Sequence, residues 1–240
     1  MHKVVQDICR DVINKYKRKK NVVGVMLFGS AVGDKFDLYS DIDIFVLVNK
    51  KIRYRRHNYL KNHRRVDIIL NTIEEVKRYL QDEKYNVRRN TAHMLAHGQI
   101  LYQIDDNFTK LQSLARNILK STTRYSNNDI LMTKYSMADY WAKVQRDICN
   151  NDNVASDLDS NLLMNNVIEF SLKLNGAYFC QSREMMRVLS ATDEMLAQKI
   201  WKYYQSNSTK SKQAVLVDIM QYTDKKLNAS MSKSWTILND

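Results

Sequence analysis

A chain of 240 residues, 44% of them hydrophobic, can bury a core in one large domain or in two of ordinary size. Its 38 Lys+Arg against 26 Asp+Glu leave a net charge of +12, and nearly all of the excess lies in residues 1–120, with 24 basic and 13 acidic side chains. No apolar run approaches the ~18 residues of a membrane span, the basic N-terminus lacks the apolar stretch of a signal peptide, and Cys9, Cys149 and Cys180 are spaced as free thiols, so the expectation is a soluble cytoplasmic protein without membrane contact.

With no proline and five glycines, turn punctuation is sparse, which favours long helices joined by polar loops. Residues 3–19 carry apolar side chains at helical spacing. "NVVGVMLF" (21–28) reads as a buried strand, 31–40 as a loop or short helix, and "DIDIFVLV" (41–48) as a second strand. The basic segment 50–65 reads as a solvated helix or loop, and "RVDIILN" (65–71) as a third strand. Thr72 is a plausible N-cap, with Glu74 and Glu75 in the first turn, for a helix to about Tyr85. A helix over 87–97 would end at Gly98 as C-cap, before a short strand at 99–104. Beyond that the pattern is helical only, over 106–120, 128–149, 160–180, 182–205 and 211–228, with polar connectors at 150–161 and 205–212. The layout is a small α/β domain, 1–104, followed by a helical domain, 105–240.

The chemistry concentrates in "LFGSAVGDKFDLYSDIDIFVLV", Leu27 to Val48. In a strand, residues i and i+2 share a face, so Asp41 and Asp43 project together while Ile42 and Ile44 point to the core. Side-by-side carboxylates repel unless a cation joins them, and hard oxygen donors suit Mg²⁺. Asp67, if its strand neighbours that of Asp43, adds a third carboxylate to the face. Three such groups can hold two metal ions for in-line phosphoryl or nucleotidyl transfer. Gly29 and Ser30 offer backbone N–H groups and a hydroxyl to phosphate oxygens. Alone, "FGS" is an ordinary turn and "DID" an exposed edge strand; the order and spacing of the two, with an acid on a later strand, favour the functional reading.

Phe28, Gly29, Ser30, a ten-residue spacer, then Asp41, Ile42, Asp43 and Ile44 resemble the signature of the nucleotidyltransferase superfamily that includes DNA polymerase β. Asp67 falls at the position of its third carboxylate. The motif covers roughly residues 20–71, and the coarse layout resembles stand-alone bacterial nucleotidyltransferases, including antibiotic-modifying ones. "AHMLAHGQILYQ" (92–103) and "LKLNGAYF" (172–179) are less specifically similar to that group. The resemblance implies an α+β fold, a small mixed β-sheet catalytic domain followed by an all-helical, acceptor-binding domain. It implies a transferase that moves a nucleoside monophosphate, AMP first, from a nucleoside triphosphate such as ATP to a hydroxyl, releasing pyrophosphate. Asp41, Asp43 and Asp67 would bind two Mg²⁺ ions and carry catalysis, Asp67 also helping to deprotonate the acceptor, and Gly29 and Ser30 would hold the β- and γ-phosphates. A small molecule, possibly an aminoglycoside- or lincosamide-like antibiotic, is the acceptor the resemblance suggests.

Other features leave alternatives open. The segment 50–65, with eight Lys+Arg, two His and interleaved Tyr54 and Tyr59, suits triphosphate or RNA binding as well as a solvated surface. A tRNA or protein acceptor, as in toxin or antitoxin nucleotidyltransferases, is therefore the second reading, and a nucleotide-binding module without catalysis the third. His93 and His97 have metal-compatible i, i+4 spacing, but a structural or capping role is favoured. Arg88 and His93 fit a permissive ribonuclease pattern only loosely. In the helical half, Asp139 and Glu169 are weak general-base candidates, and Tyr140, Trp141, Tyr178 and Trp201 are read as core before pocket.

Overall fold

A computed structural model describes residues 2–33, 36–50, 53–122, 125–232 and 234–236. The chain forms two compact units, Met1–Lys84 with Arg89–Ser121, and Tyr85–Arg88 with Thr122–Asp240. The fold is α+β, a five-stranded mixed sheet followed by helices. Among the described residues no helix is long and apolar enough to cross a membrane.

In the first unit, α1 (Lys3–Tyr16) precedes β1 (Val22–Phe28), β2 (Ile42–Val48), β3 (Arg56–Lys61) and β4 (Arg64–Thr72); α2 (Ile73–Glu83), α3 (Asn90–His97), β5 (Gln99–Gln103) and α4 (Asn107–Lys120) follow. The strand order is β3-β4-β2-β1-β5, with β2 and β4 parallel and the other neighbours antiparallel. Alternation along the strands separates two cores. Ile42, Ile44, Val46 and Val48 of β2 join Val66, Ile68 and Leu70 of β4 against α1, whose Val5, Ile8, Val12 and Tyr16 are buried. On the other face Phe45 and Leu47 pack against α2–α4, through residues such as Leu80, Leu95 and Phe108. The unit is thus helix, sheet and helices in three layers, and the residues of β2 and β4 that alternate with the α1-facing ones belong to the α2–α4 side.

Local chemistry accounts for the element ends. Thr72 Oγ1 accepts from Glu75 N, and Glu75 Oε2 accepts from Thr72 N, a reciprocal capping box at the start of α2. Glu83 accepts from the amides of Thr91 and Ala92 at 2.7 and 2.8 Å, satisfying the start of α3. Arg89, fully buried, donates to the carbonyls of Ile118 and Ser121, placing a cation at the C-terminal end of α4. Gly98 is the C-cap of α3, as its position suggested, with extended dihedrals (φ −67°, ψ 149°) and its N–H donating to the Met94 carbonyl. Its small size serves packing, because a Cβ there would lie 2.5 Å from Met26 Sδ.

Three expectations from the sequence are corrected. The basic segment 50–65 is neither helix nor loop through its second half. Asn62 and His63, with φ of 51° and 58°, turn β3 back into β4 as a hairpin. The stretch 150–161 is mostly helical, because Asp152 accepts from Ala155 N and starts α6 (Asn153–Leu174) there. The span 182–205 is interrupted. A 3₁₀ turn (Ser182–Glu184) leads into α7 (Met185–Thr192), Asp193 breaks the chain at φ −151°, ψ 81°, and α8 (Glu194–Gln205) restarts with Asp193 as its cap.

The second unit packs those helices with α5 (Asn127–Cys149) and α9 (Thr209–Leu227) around Val144, Leu163, Val167, Phe170, Leu196, Ile200 and Ile219. Ser126 and Ser208 open α5 and α9 with capping boxes. Arg88, in the segment belonging to this unit, lies over the Phe179 ring at 5.3 Å.

Candidate active site

The parallel register of β2 and β4 sets Asp43 opposite Asp67 and Ile42 opposite Val66. The two carboxylates therefore share the α2–α4 face of the sheet, and Asp41 immediately precedes β2. On the other side of β2, the antiparallel register sets Phe28, the last residue of β1, opposite Asp43. The chain then turns through a single 3₁₀ turn, Gly29–Val32. Gly29 has φ +73°, and a Cβ on it would stand 2.4 Å from Asp43 Oδ2. Glycine is required there twice over, by the left-handed backbone and by the close approach of the carboxylate. This contact gives the Gly29-Ser30 turn and Asp43 a common location.

Neutralisation of the acids is uneven. Arg56 grips Asp67, which is buried, with Nε donating to Oδ1 and Oδ2 at 2.9 and 3.0 Å and Nη2 donating to Oδ2. Arg65 Nη1 lies 3.7 Å from Asp41 Oδ2. Asp43 has no ion-pair partner among the described residues. Burial, then the charges of Asp67 and Asp41, push its carboxyl up to about 6, and Arg56 pulls it partway back. The site thus carries a carboxylate whose ionisation is opposed by its surroundings, which a cation would relieve.

The donor set suits a hard divalent cation, being carboxylate oxygens with Asp43 uncompensated. As the side chains stand, no three His, Cys, Asp or Glu among the described residues converge into a metal cage. Arg56 provides the positive charge at Asp67 instead, and with 64% of its side chain exposed it has room to move away.

The remaining basic residues of the hairpin are also engaged. Arg55 pairs with Glu75 at 2.8 Å, Lys61 with Asp11, and Arg64 donates to the carbonyls of Asp37 and Leu38, bracing the loop that leads into Asp41. Arg56 was not singled out from the sequence. The signal was the Asn62-His63 turn: once it is seen as a two-residue hairpin, the register brings Arg56 opposite Ile69, diagonal to Asp67.

Asp139 and Glu169 lie in the second unit and are paired along their own helices, with Lys143 and Lys173, each at 2.8 Å. His93 and His97 stack at 4.3 Å, and His97 Nδ1 lies 3.0 Å from the His93 carbonyl, which accepts its proton. Trp141 lines a cavity of about 210 Å³ with Met137, Met220, Asp224 and Met231, Tyr140 is half-buried, and Trp201 is 61% exposed.

Residues 10–107 match the polymerase β nucleotidyltransferase family. Among solved structures, a nucleotidyltransferase-like protein from Exiguobacterium sibiricum 255-15 superposes with a TM-score of 0.55, over 93% of this chain and 76% of that one. At 14% identity that likeness concerns the fold. No curated protein matches the chain significantly.

Proposed function

We propose that the chain, whose residues 10–107 match the polymerase β nucleotidyltransferase family, transfers AMP from ATP to a hydroxyl of a small molecule. The observation that carries this reading is the meeting of the Gly29-Ser30 turn with Asp43, directly opposite Asp67. Asp41, Asp43 and Asp67 would hold two Mg²⁺ ions, which, when bound, neutralise the carboxylates and polarise the triphosphate. The backbone of Gly29 and the Ser30 hydroxyl orient the β- and γ-phosphates. The acceptor oxygen forms a bond to the α-phosphorus, the bond from that phosphorus to pyrophosphate breaks, and Asp67 takes the hydroxyl proton. The helical unit, including the cavity beside Trp141, supplies acceptor binding in this reading.

The test uses each α-labelled nucleoside triphosphate with Mg²⁺, against panels of hydroxylated antibiotics, total tRNA and cell protein. We expect label on a small molecule with ATP as donor, and none with Asp43→Asn. Full transfer by that variant would refute the assignment of roles. Label on tRNA or protein would refute the small-molecule acceptor, and nucleotide binding without transfer to any acceptor would favour a non-catalytic module.

A further inference from the structure

The hairpin cations are tied to Glu75, Asp67, Asp11, Asp41 and backbone carbonyls, so the segment 50–65 offers less open charge than its sequence suggests. The run Lys15-Tyr16-Lys17-Arg18-Lys19-Lys20, at the end of α1, differs. Among the described residues none of its cations has a carboxylate within ion-pair distance. A helix C-terminus favours positive charge, but that effect is confined to the last turn and does not account for basic residues continuing to Lys20.

Beside this run stands a row of aromatic rings. Lys19 Nζ lies 4.8 Å from the Tyr16 ring centre and 5.8 Å from that of Tyr54, and donates to Tyr54 Oη at 3.3 Å. The row continues from Tyr54 to His57 at 6.1 Å and from His57 to Tyr59 at 5.3 Å, the rings tilted against one another. His57 and Tyr59 pair with Ile68 and Val66, so they face the α1 side of the sheet. With Lys15, Lys61, Asp11 and Val12 they line a groove of about 230 Å³. Asp11, the acid in the groove, is held by Lys61.

We propose that this α1–β3 face binds single-stranded RNA. Phosphates run along the cations of residues 15–20, and unstacked bases lie on Tyr54 and His57. A row of separate ring faces suits splayed bases better than a duplex groove. Among the described residues named for this face, Tyr54 is the exposed large hydrophobic side chain, which makes no contiguous apolar stripe of the kind that seats a helix in a membrane surface. The imidazole nitrogens at the edge of His57 can meet a 2′-hydroxyl, which deoxyribose lacks. The face is opposite to that of Asp43 and Asp67, so this binding stands independently of the transfer chemistry.

Fluorescence anisotropy of the full chain with an end-labelled single-stranded RNA of about a dozen nucleotides, from 50 to 200 mM KCl, tests it. DNA of the same sequence, heparin and anionic phosphatidylserine vesicles serve as the other arms. We expect RNA to bind best. The triple variant Lys17→Ala, Arg18→Ala, Lys20→Ala should lower the slope of log K against log salt by about 2, from ~0.7 per lost phosphate contact. Tyr54→Ala with His57→Ala should weaken RNA at least about tenfold at constant slope while leaving heparin unchanged, the loss expected of stacked bases. Tyr54→Phe, which keeps the ring, should retain the affinity. No RNA binding at 50 mM salt, equal binding of DNA, tighter binding to vesicles, or RNA affinity indifferent to both variant sets would overturn the proposal.

Discussion

Asp43 is opposed in its ionisation by burial and by two neighbouring carboxylates, and its displacement from 3.8 to about 6 has a definite consequence for stability. Between those values the folded chain holds a proton that the unfolded chain has released. Without a divalent cation, stability from this residue therefore falls as pH rises from about 4 to 6, and is level above. Fully expressed the displacement is worth ~3 kcal/mol, but with water reaching part of the carboxyl we expect about 1 kcal/mol. Asp43→Asn should accordingly raise the metal-free Tm near neutral pH by ~2–4 °C, while abolishing transfer. A Tm that falls in calorimetry of the variant would count against an electrostatic cost at Asp43. Arg56 is the counterpart. It competes with any cation for Asp67, so Arg56→Gln should bind Mg²⁺ about fivefold more tightly, equivalent to ~1 kcal/mol, as read from the Mg²⁺ dependence of Tm. Weaker Mg²⁺ binding in that variant would make Arg56 a supporter of the cation site.

At the scale of elements, β1, β2, β4 and β5 were legible because their apolar runs are short, β-branched and bounded by turns. The capping box at Thr72 was legible as N-cap chemistry. Strand β3 was not, because it lies at the sheet edge, four of its six residues are exposed and none is buried, and "RHNYLK" carries no apolar alternation. Its turn residues, Asn62 and His63, lack the glycine that usually marks a two-residue hairpin. His63→Gly should therefore stabilise the first unit by ~0.5–1 kcal/mol through relief of its left-handed backbone. Urea unfolding measures this, and a loss of stability would contradict the turn geometry. The start of α6 was hidden for a different reason. Its first turns bury Ser156 and Ser160 where the eye looks for Leu or Ile. The break at Asp193 was hidden because the residue that ends α7 also caps α8, and Tyr222 Oη donates to it at 2.7 Å from a distant helix.

For the whole molecule, the Asp41, Asp43 and Gly29-Ser30 motif lay within one stretch of chain, and its pairing with Asp67 needed only the correct neighbour for β2. The cavity of Met137, Trp141, Met220 and Met231 is assembled from α5, α9 and the segment after it, and no local pattern announces such a grouping. All the residues assigned to nucleotide and metal belong to the first unit. Hydrogen exchange with Mg²⁺ and a non-hydrolysable ATP analogue should therefore slow amides around Gly29–Val32, the start of β2 and the middle of β4, leaving α5–α9 unchanged until an acceptor is added. Protection confined to α5–α9 would place the nucleotide elsewhere.

In the proposed mechanism the three carboxylates and the Gly29-Ser30 turn form one nucleotide site that requires a divalent cation. Isothermal titration calorimetry with an ATP analogue blocked between the α- and β-phosphates addresses it without knowledge of the acceptor. We expect binding with Mg²⁺ to the wild-type chain, and its loss on adding EDTA or in Asp43→Asn. Equal affinity in all three conditions would contradict it.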